Sequence, residues 1–315
     1  MKTKLTLLLS VVLAAPAWAG VLPNDAIVEG KTIGEWSAEC WKWIYSISTN
    51  ENPLLDCDGQ GRWANNRQPD PTVFFIAPVN GITPPPCIRT FTVPENKYIL
   101  LPVLALSIDN IDTFPPYTLE QMHDVLNSVL DEAANLELHA SIDGVPVPNL
   151  PDHRATSPPF SFDFPDGDNT QSVFYQKPII GLYDPVIVDG YWLMLEPLSP
   201  GPHTLHTGGN NPYSLRHDII CNITVVPIPL TQRVEELIAS VDASSLVPKR
   251  KHRLLERLRK AQKSFEQGHL AAGIKRLREF QIKVRRAGRR LDPVLAVAFT
   301  QAAQGIIDKA RSQLL

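Results

Sequence analysis

The chain has 315 residues, 43% of them hydrophobic, with 29 prolines and four cysteines. That length allows two domains with a sizeable core, and no stretch after the N-terminus is long and apolar enough for a membrane helix. The net charge of −3 hides an asymmetry: residues 20–230 carry 9 Lys and Arg against 25 Asp and Glu, net −16, while residues 231–315 carry 19 against 8, net +11. Two regions of opposite sign are hard to read as one domain.

The N-terminus reads as a signal peptide over residues 1–19. Lys2 and Lys4 precede an apolar run from Leu5 to Ala15, and Ala17-Trp18-Ala19 is a small-x-small cleavage site before Gly20. This predicts a secreted or periplasmic protein cut near Ala19, with no transmembrane segment. Four cysteines in an exported chain suggest disulfides, with three possible connectivities. Cys57–Cys87 is the favoured pair, because both lie in turn-rich segments flanking the first strand. Closing that loop removes about 3–4 kcal/mol of unfolded-state entropy. Cys40 and Cys221 are left either as a second pair or as buried free thiols. A four-cysteine metal site lacks the C-x-x-C spacing it would need.

Thr32-Ile33-Gly34-Glu35 fits a capping box, and a helix from about Ile33 to Ile47 follows. Ile33, Trp36, Cys40, Trp43, Ile44 and Ile47 fall on one face, which should be core. Trp41 and Tyr45 lie on the other side. They are either covered by the proline-rich loops or form an exposed aromatic platform for a sugar ring or another protein.

Strands are expected over Thr72–Ala77, Ile88–Val93 and Tyr98–Ile108. The turn Pro94–Lys97 would make the last two a hairpin, with Pro102 at a bulge. A second helix starts at Thr118. Leu136–Ile142 alternates and Asp143-Gly144 is a hairpin signal. Phe160–Phe164, Val186–Leu195, His203–Thr207 and Asp218–Val226 complete about eight strands. The predicted fold over residues 20–227 is a mainly β, jelly-roll-like sandwich with inserted helices. Residues 228–232 form a proline-rich linker. Residues 233–315 are helical, with apolar stripes at Leu254, Leu255, Leu258, Ala261 and Phe265, and at Leu270, Ile274, Leu277, Phe280 and Val284. Short loops between them predict a small α-helical bundle.

Gly34-Glu35-Trp36, Trp41-x-Trp43, Asn52-Pro53-Leu54-Leu55-Asp56, Val93-Pro94-Glu95-Asn96-Lys97 and Leu198-Ser199-Pro200-Gly201-Pro202-His203 resemble a family of secreted bacterial proteins with no assigned activity. The likeness spans about residues 30–227 and implies no catalytic residues. In the tail, Leu255-x-x-Leu258, Ala261-x-x-x-Phe265, Gly268, Ala272, Leu277, Phe280 and Val284 are similar to the helical FIMAH-type modules appended to exported bacterial proteins. That likeness implies an accessory role.

Catalytic signatures are missing from the sequence: there is no G-x-S-x-G, no H-E-x-x-H and no phosphate-binding glycine loop. His203 and His206, three apart in a strand, point to opposite faces and do not share an ion easily. His217 has no partner visible in the sequence. Asp166-Gly167-Asp168-Asn169 lacks the closing Glu of a twelve-residue calcium loop. Asp109, Asp112 and Glu120 mark a strand end where a glycosidase-type carboxylate pair would lie.

Lys249, Arg250, Lys251, Arg253, Arg257, Lys260, Arg285, Arg286, Arg289 and Arg290 form a basic surface suited to polyanions. It lacks the interleaved aromatics that stack on bases, so nucleic acid is disfavoured as a partner. The sequence therefore predicts a secreted, non-enzymatic binding protein. Its sandwich would take a ligand, with Trp41 and Tyr45 as candidates, and its basic module would tether to an acidic glycan, an envelope polyanion or a protein partner. No cofactor is implied. The alternative is a carbohydrate-active hydrolase with a carboxylate pair in the sandwich.

Overall fold

The computed structural model describes residues 20–79, 86–132, 135–210, 216–287 and 292–314. The expected signal peptide, residues 1–19, lies outside the described residues. The chain divides into two compact units, Met1–Val226 and Pro227–Leu315.

Among the described residues, the first unit holds two mixed sheets and three α-helices. One sheet has the order β1-β3-β7-β6, and the other β2-β9-β8-β4-β5. The strands are β1 (Val73–Phe75), β2 (Cys87–Pro94), β3 (Tyr98–Ile108), β4 (His139–Ile142), β5 (Val145–Pro146), β6 (Phe160–Phe164), β7 (Gly181–Leu195), β8 (Gly201–Asn210) and β9 (Arg216–Val226). Alternation along β3 and β7 separates two apolar clusters. Ile99, Leu101, Leu193 and Leu195 join Phe91, Leu205, Ile219 and Cys221 of the five-stranded sheet in one cluster. Leu100, Trp192 and Met194 face the other way, towards Trp36, Cys40, Trp43 and Ile44 of helix α1 (Ile33–Tyr45). β3 is buried on both faces from Ile99 to Ala105, which is why it reads as a continuous apolar run.

The expected hairpin between β2 and β3 does not form. β2 pairs in parallel with β9, Cys87 opposite Ile219 through Pro94 opposite Val226. β3 pairs with β7 in the other sheet. The turn at Pro94–Lys97, with Asn96 at φ 66°, carries the chain between sheets instead. Burial patterns explain the split: β2 alternates buried and exposed residues, as one face of a sheet requires, whereas β3 needs cover on both. The bulge at Pro102 is present, as a register shift between Pro102 and Leu104. β4 and β5 form the short hairpin signalled by Asp143-Gly144, both at positive φ as a type I′ turn demands.

Helix α1 starts at the expected capping box. Thr32 Oγ1 accepts from the Glu35 N–H at 3.2 Å, and Glu35 Oε2 accepts from the Thr32 N–H at 2.8 Å. The Thr32 N–H, and then its hydroxyl, both donating to Glu35 Oε2, hold that carboxyl below the usual range. Trp36 and Trp43 pack on Phe75 with ring centroids 6.0 and 5.9 Å apart. Each fully buried aliphatic beside them, such as Ile33 or Ile44, contributes about 1.5–3 kcal/mol. A Cβ at Gly34 would fall 2.2 Å from the Thr156 carbonyl oxygen, so only glycine lets the helix approach that segment. Helix α2 (Leu119–Leu130) sets Met122 and Leu126 against Ile187. Helix α3 (Thr170–Tyr175) is capped by Asn169, whose Oδ1 accepts from the Ser172 N–H at 3.0 Å.

Cys57 and Cys87 are disulfide-bonded, 30 residues apart. Of the two alternatives for Cys40 and Cys221, buried free thiols are found and a second pair is not. The reason is the sheet between them: Cys40 belongs to the cluster under α1, Cys221 to the cluster shared by the two sheets. Burial pushes the Cys221 thiol up to about 11 and the Cys40 thiol well above its ordinary value, so both are inert.

The second unit consists of helices α4 (Leu230–Ala243), α5 (Pro248–Glu266), α6 (Leu270–Ala287) and α7 (Pro293–Ser312). The expected stripes of α5 and α6 meet Val234, Leu237, Phe299 and Ile306 in one core. The loops between the helices are short enough for neighbouring helices to pack directly.

Candidate functional site

The first unit contains a cavity of about 140 Å³. Its walls come from α1 (Trp41), the following loop (Leu54, Leu55), the end of β3 (Leu104–Ser107, then Asp109), α3 (Thr170, Gln171, Val173, Phe174, Tyr175) and the start of β9 (Arg216, His217), with Val79 beside them. The lining is mainly apolar, with a few polar groups, which is the usual chemistry of a small-ligand site.

Trp41 is not an exposed platform, and neither is Tyr45: their exposures are 7% and 3%. Of the two alternatives, cover holds and the platform does not: β6 lies on Tyr45, while α3 and the loop residues Leu54 and Leu55 line the cavity beside Trp41. Tyr45 packs on Phe162 and Phe164, ring centroids 5.3 and 5.2 Å away, and its hydroxyl meets Ser107 Oγ at 3.1 Å. Burial pushes the Tyr45 phenol far above its ordinary value. Trp41 stacks beside Tyr45 at 5.5 Å and presents its indole to the cavity.

Two buried polar atoms of the lining, Trp41 Nε1 and Thr170 Oγ1, have no hydrogen-bond partner among the described residues. A buried donor left unpaired costs about 1–3 kcal/mol. Trp36 and Trp43, on the same helix, do satisfy their indole N–H groups, on Val28 and Asn66 carbonyls, each at 2.9 Å. Trp192 Nε1, outside the cavity lining, is likewise unpartnered, so the indole of Trp41 marks the cavity only together with Thr170 Oγ1 of the same lining.

Asp109, Gln171, Tyr175 and His217 of the wall are engaged. Asp109 accepts from the Ile111 N–H at 2.9 Å, from Gln171 Nε2 at 2.7 Å and from the Tyr175 hydroxyl at 3.1 Å. Burial still outweighs these bonds and raises its carboxyl above the ordinary range. His217 donates from Nδ1 to the Val103 carbonyl at 2.9 Å and accepts at Nε2 from the Val79 N–H at 3.0 Å. It is a neutral imidazole, its pKa held down to about 4 by burial.

The other sequence candidates lie elsewhere. Asp112 pairs with Lys177, and Glu120 is exposed at the start of α2; neither lines the cavity with Asp109. Asp168 accepts from the Thr49 N–H and hydroxyl, tying that loop to the end of α1. His203, Asp143 and Ser199 have the composition of a catalytic triad but not its geometry. His203 Nδ1 is 2.7 Å from Asp143, while Nε2 is 2.8 Å from the Ser199 carbonyl and 3.4 Å from its hydroxyl, so the ring ties two turns together.

Among the basic residues, Arg257 pairs with Glu279 at 2.9 Å and Lys260 with Glu256 at 2.5 Å, and Lys251 donates to the Asp242 carbonyl. Lys249, Arg253, Arg285 and Arg286 enter no ion pair among the described residues, and all four are exposed. Arg250 lies in the first turn of α5. Arg289 and Arg290 lie outside the described residues.

Thr170, Gln171 and Tyr175 escape sequence analysis because α3 is under two turns long, too short for periodicity. Asn169, a capping residue three before Ser172, was the available signal. No protein-family model matches the chain, and comparison with curated proteins and with solved structures gives no significant match.

Proposed function

We propose that this is an exported, non-enzymatic binding protein whose two sheets stack as a β-sandwich, as its likeness to the secreted bacterial family suggests. The cavity beside Trp41 takes a small, largely apolar molecule bearing one oxygen acceptor. The FIMAH-like basic unit tethers the protein to an acidic glycan, an envelope polyanion or a protein partner. The observation that carries the ligand reading is the pair of unpartnered atoms, Trp41 Nε1 and Thr170 Oγ1, in a mainly apolar cavity. A cavity of about 150 Å³ accommodates a six-membered ring, and a carbonyl or ether oxygen at its edge would accept from the indole. The Cys57–Cys87 disulfide supports an oxidising compartment. The first turn of α5 carries Lys249, Arg250 and Lys251 and no acidic residue. Cations there oppose the helix dipole, which favours a role in contacting anions over one in stability.

The test is titration with cyclohexanone and with methylcyclohexane, followed through the indole N–H resonances. Saturable cyclohexanone binding that perturbs Trp41 is expected, about tenfold tighter than the hydrocarbon, as one hydrogen bond gives. Trp41→Phe should erase that preference. Failure of both probes to bind saturably removes the ligand reading.

A further inference from the structure

The outer face of the five-stranded sheet carries a second constellation. His139 of β4, His206 of β8 and Asp218 of β9 bring one ligand atom each to within 4.8 Å of one another. The register explains how. Gly208 lies opposite His139 on one side and opposite Asp218 on the other, and His206 is two residues along β8 on the same face. Three adjacent strands thus supply one side chain each from rigid backbone.

From these contacts we propose that His139, His206 and Asp218 form a surface site for a divalent transition-metal ion, zinc foremost. His206 Nε2 lies 2.9 Å and His139 Nε2 3.9 Å from the same carboxylate oxygen, Asp218 Oδ1. The two imidazole rings meet edge to face, centroids 4.9 Å apart. In a tetrahedral site with bonds of about 2.0–2.1 Å, ligand atoms sit about 3.3 Å apart. Small side-chain rotations reach that geometry from the distances present.

Two independent features point the same way. The Nδ1 of His139 is 3.2 Å from the Glu137 carbonyl oxygen. A carbonyl only accepts, so Nδ1 carries a proton; in the neutral ring Nε2 is then the nitrogen left to bind an ion beside Asp218. A backbone carbonyl on the far ring nitrogen is also the usual support of a metal-bound histidine. The second feature is Gly208. A Cβ there would fall 2.5 Å from Cε1 and 2.6 Å from Nε2 of His139, and 2.4 Å from the His217 carbonyl. The ring of His139 occupies the space that any other residue would fill.

Two imidazoles and one carboxylate select borderline ions over calcium or magnesium, which prefer all-oxygen shells. Half-exposed His139 and His206 leave the remaining coordination position open to solvent. The ion would accept water, or a donor atom of a ligand lying on the sheet. This site is separate from the cavity, which is lined by none of the three residues.

The experiment uses the full chain, stripped with a chelator and titrated with cobalt(II) and zinc(II). One equivalent of cobalt should bind with the visible absorption of a four- or five-coordinate site, and zinc should displace it. His139→Gln, His206→Gln and Asp218→Asn should each weaken binding at least tenfold. His203→Gln, whose ring serves the neighbouring turns, should leave it unchanged. His139, His206 and Asp218 are partly exposed and His203 is mostly covered, so unchanged thermal unfolding of each stripped variant confirms that it folds. Six-coordinate cobalt spectra, or affinity that survives in a His139→Gln/His206→Gln double variant, overturns the proposal. Cavity variants such as Trp41→Phe should not alter metal binding, so the two sites fail separately.

Discussion

The sheet unit and the helical unit solve the burial problem differently. Among the described residues, the buried polar side chains of the sheet unit include Arg89, Asp56, Asp109, Asp189 and His217; in the helical unit Gln281 alone is buried. Arg89 is 1% exposed, and its guanidinium donates to the backbone carbonyls of Asp56 at 2.9 Å, Pro78 at 3.0 Å and Ala77. Asp189 receives both arms of Arg154, at 3.2 and 2.7 Å. The helical unit keeps its many charges outside an aliphatic and aromatic core. The contrast teaches where each unit is vulnerable. The first should answer to pH and to loss of internal polar partners, the second to salt.

The harshest way to break the comparison is at Arg89. Arg89→Met leaves three carbonyls unpaired in the core, and should cost the sheet unit about 3–5 kcal/mol in urea unfolding. The helical unit's transition should not move; a common shift would mean that the units do not unfold separately. Replacing Cys57 and Cys87 by serine should cost about 3–4 kcal/mol in the same unit, set by the loop they close.

Acid should act next. His217 titrates at about 4 folded against 6.5 unfolded. Its contribution is fully present above pH 6.5 and is lost as pH falls towards 4, about 3 kcal/mol in all. Asp109 and Asp56, raised by burial, act in the opposite sense and regain stability on protonation. His217→Gln should therefore flatten the slope of stability between pH 6.5 and 4 by about one proton. An unchanged slope would assign acid sensitivity elsewhere. The mildest effect belongs to the basic surface. Arg253→Ser should weaken heparin binding severalfold, about 1 kcal/mol, and lower the salt slope by about one. Heparin that fails to bind at low salt removes the tether.

Much of this division was legible in sequence, because it is written in local signals. The capping box at Thr32, the helix start at Thr118, the Asp143-Gly144 turn and the apolar stripes of α5 and α6 each act within a few residues. The pairing of β2 with β9 was not legible. Its partners are about 130 residues apart, and an adjacent strand with a good turn between made the false hairpin attractive. For Trp41 the sequence left cover and exposure both open, since helical spacing places it off the main face without saying what covers that side; it is covered. Asp109 was noticed as one of a pair, whereas its real partners are Gln171 and Tyr175 on a helix too short to read. His206 was judged against His203, its neighbour in sequence; the sheet sets it beside His139 and Asp218 instead.

The pairing of β3 with β7 has a consequence for biogenesis. Ile99 waits for Leu195 and Ile108 for Ile187, so an eleven-residue apolar segment has no antiparallel partner until about eighty further residues have emerged. In a chain threaded N-terminus first, that segment is the place where self-association competes with maturation. A chaperone that shields Tyr98–Ile108 would raise yield more than one acting on any later stretch.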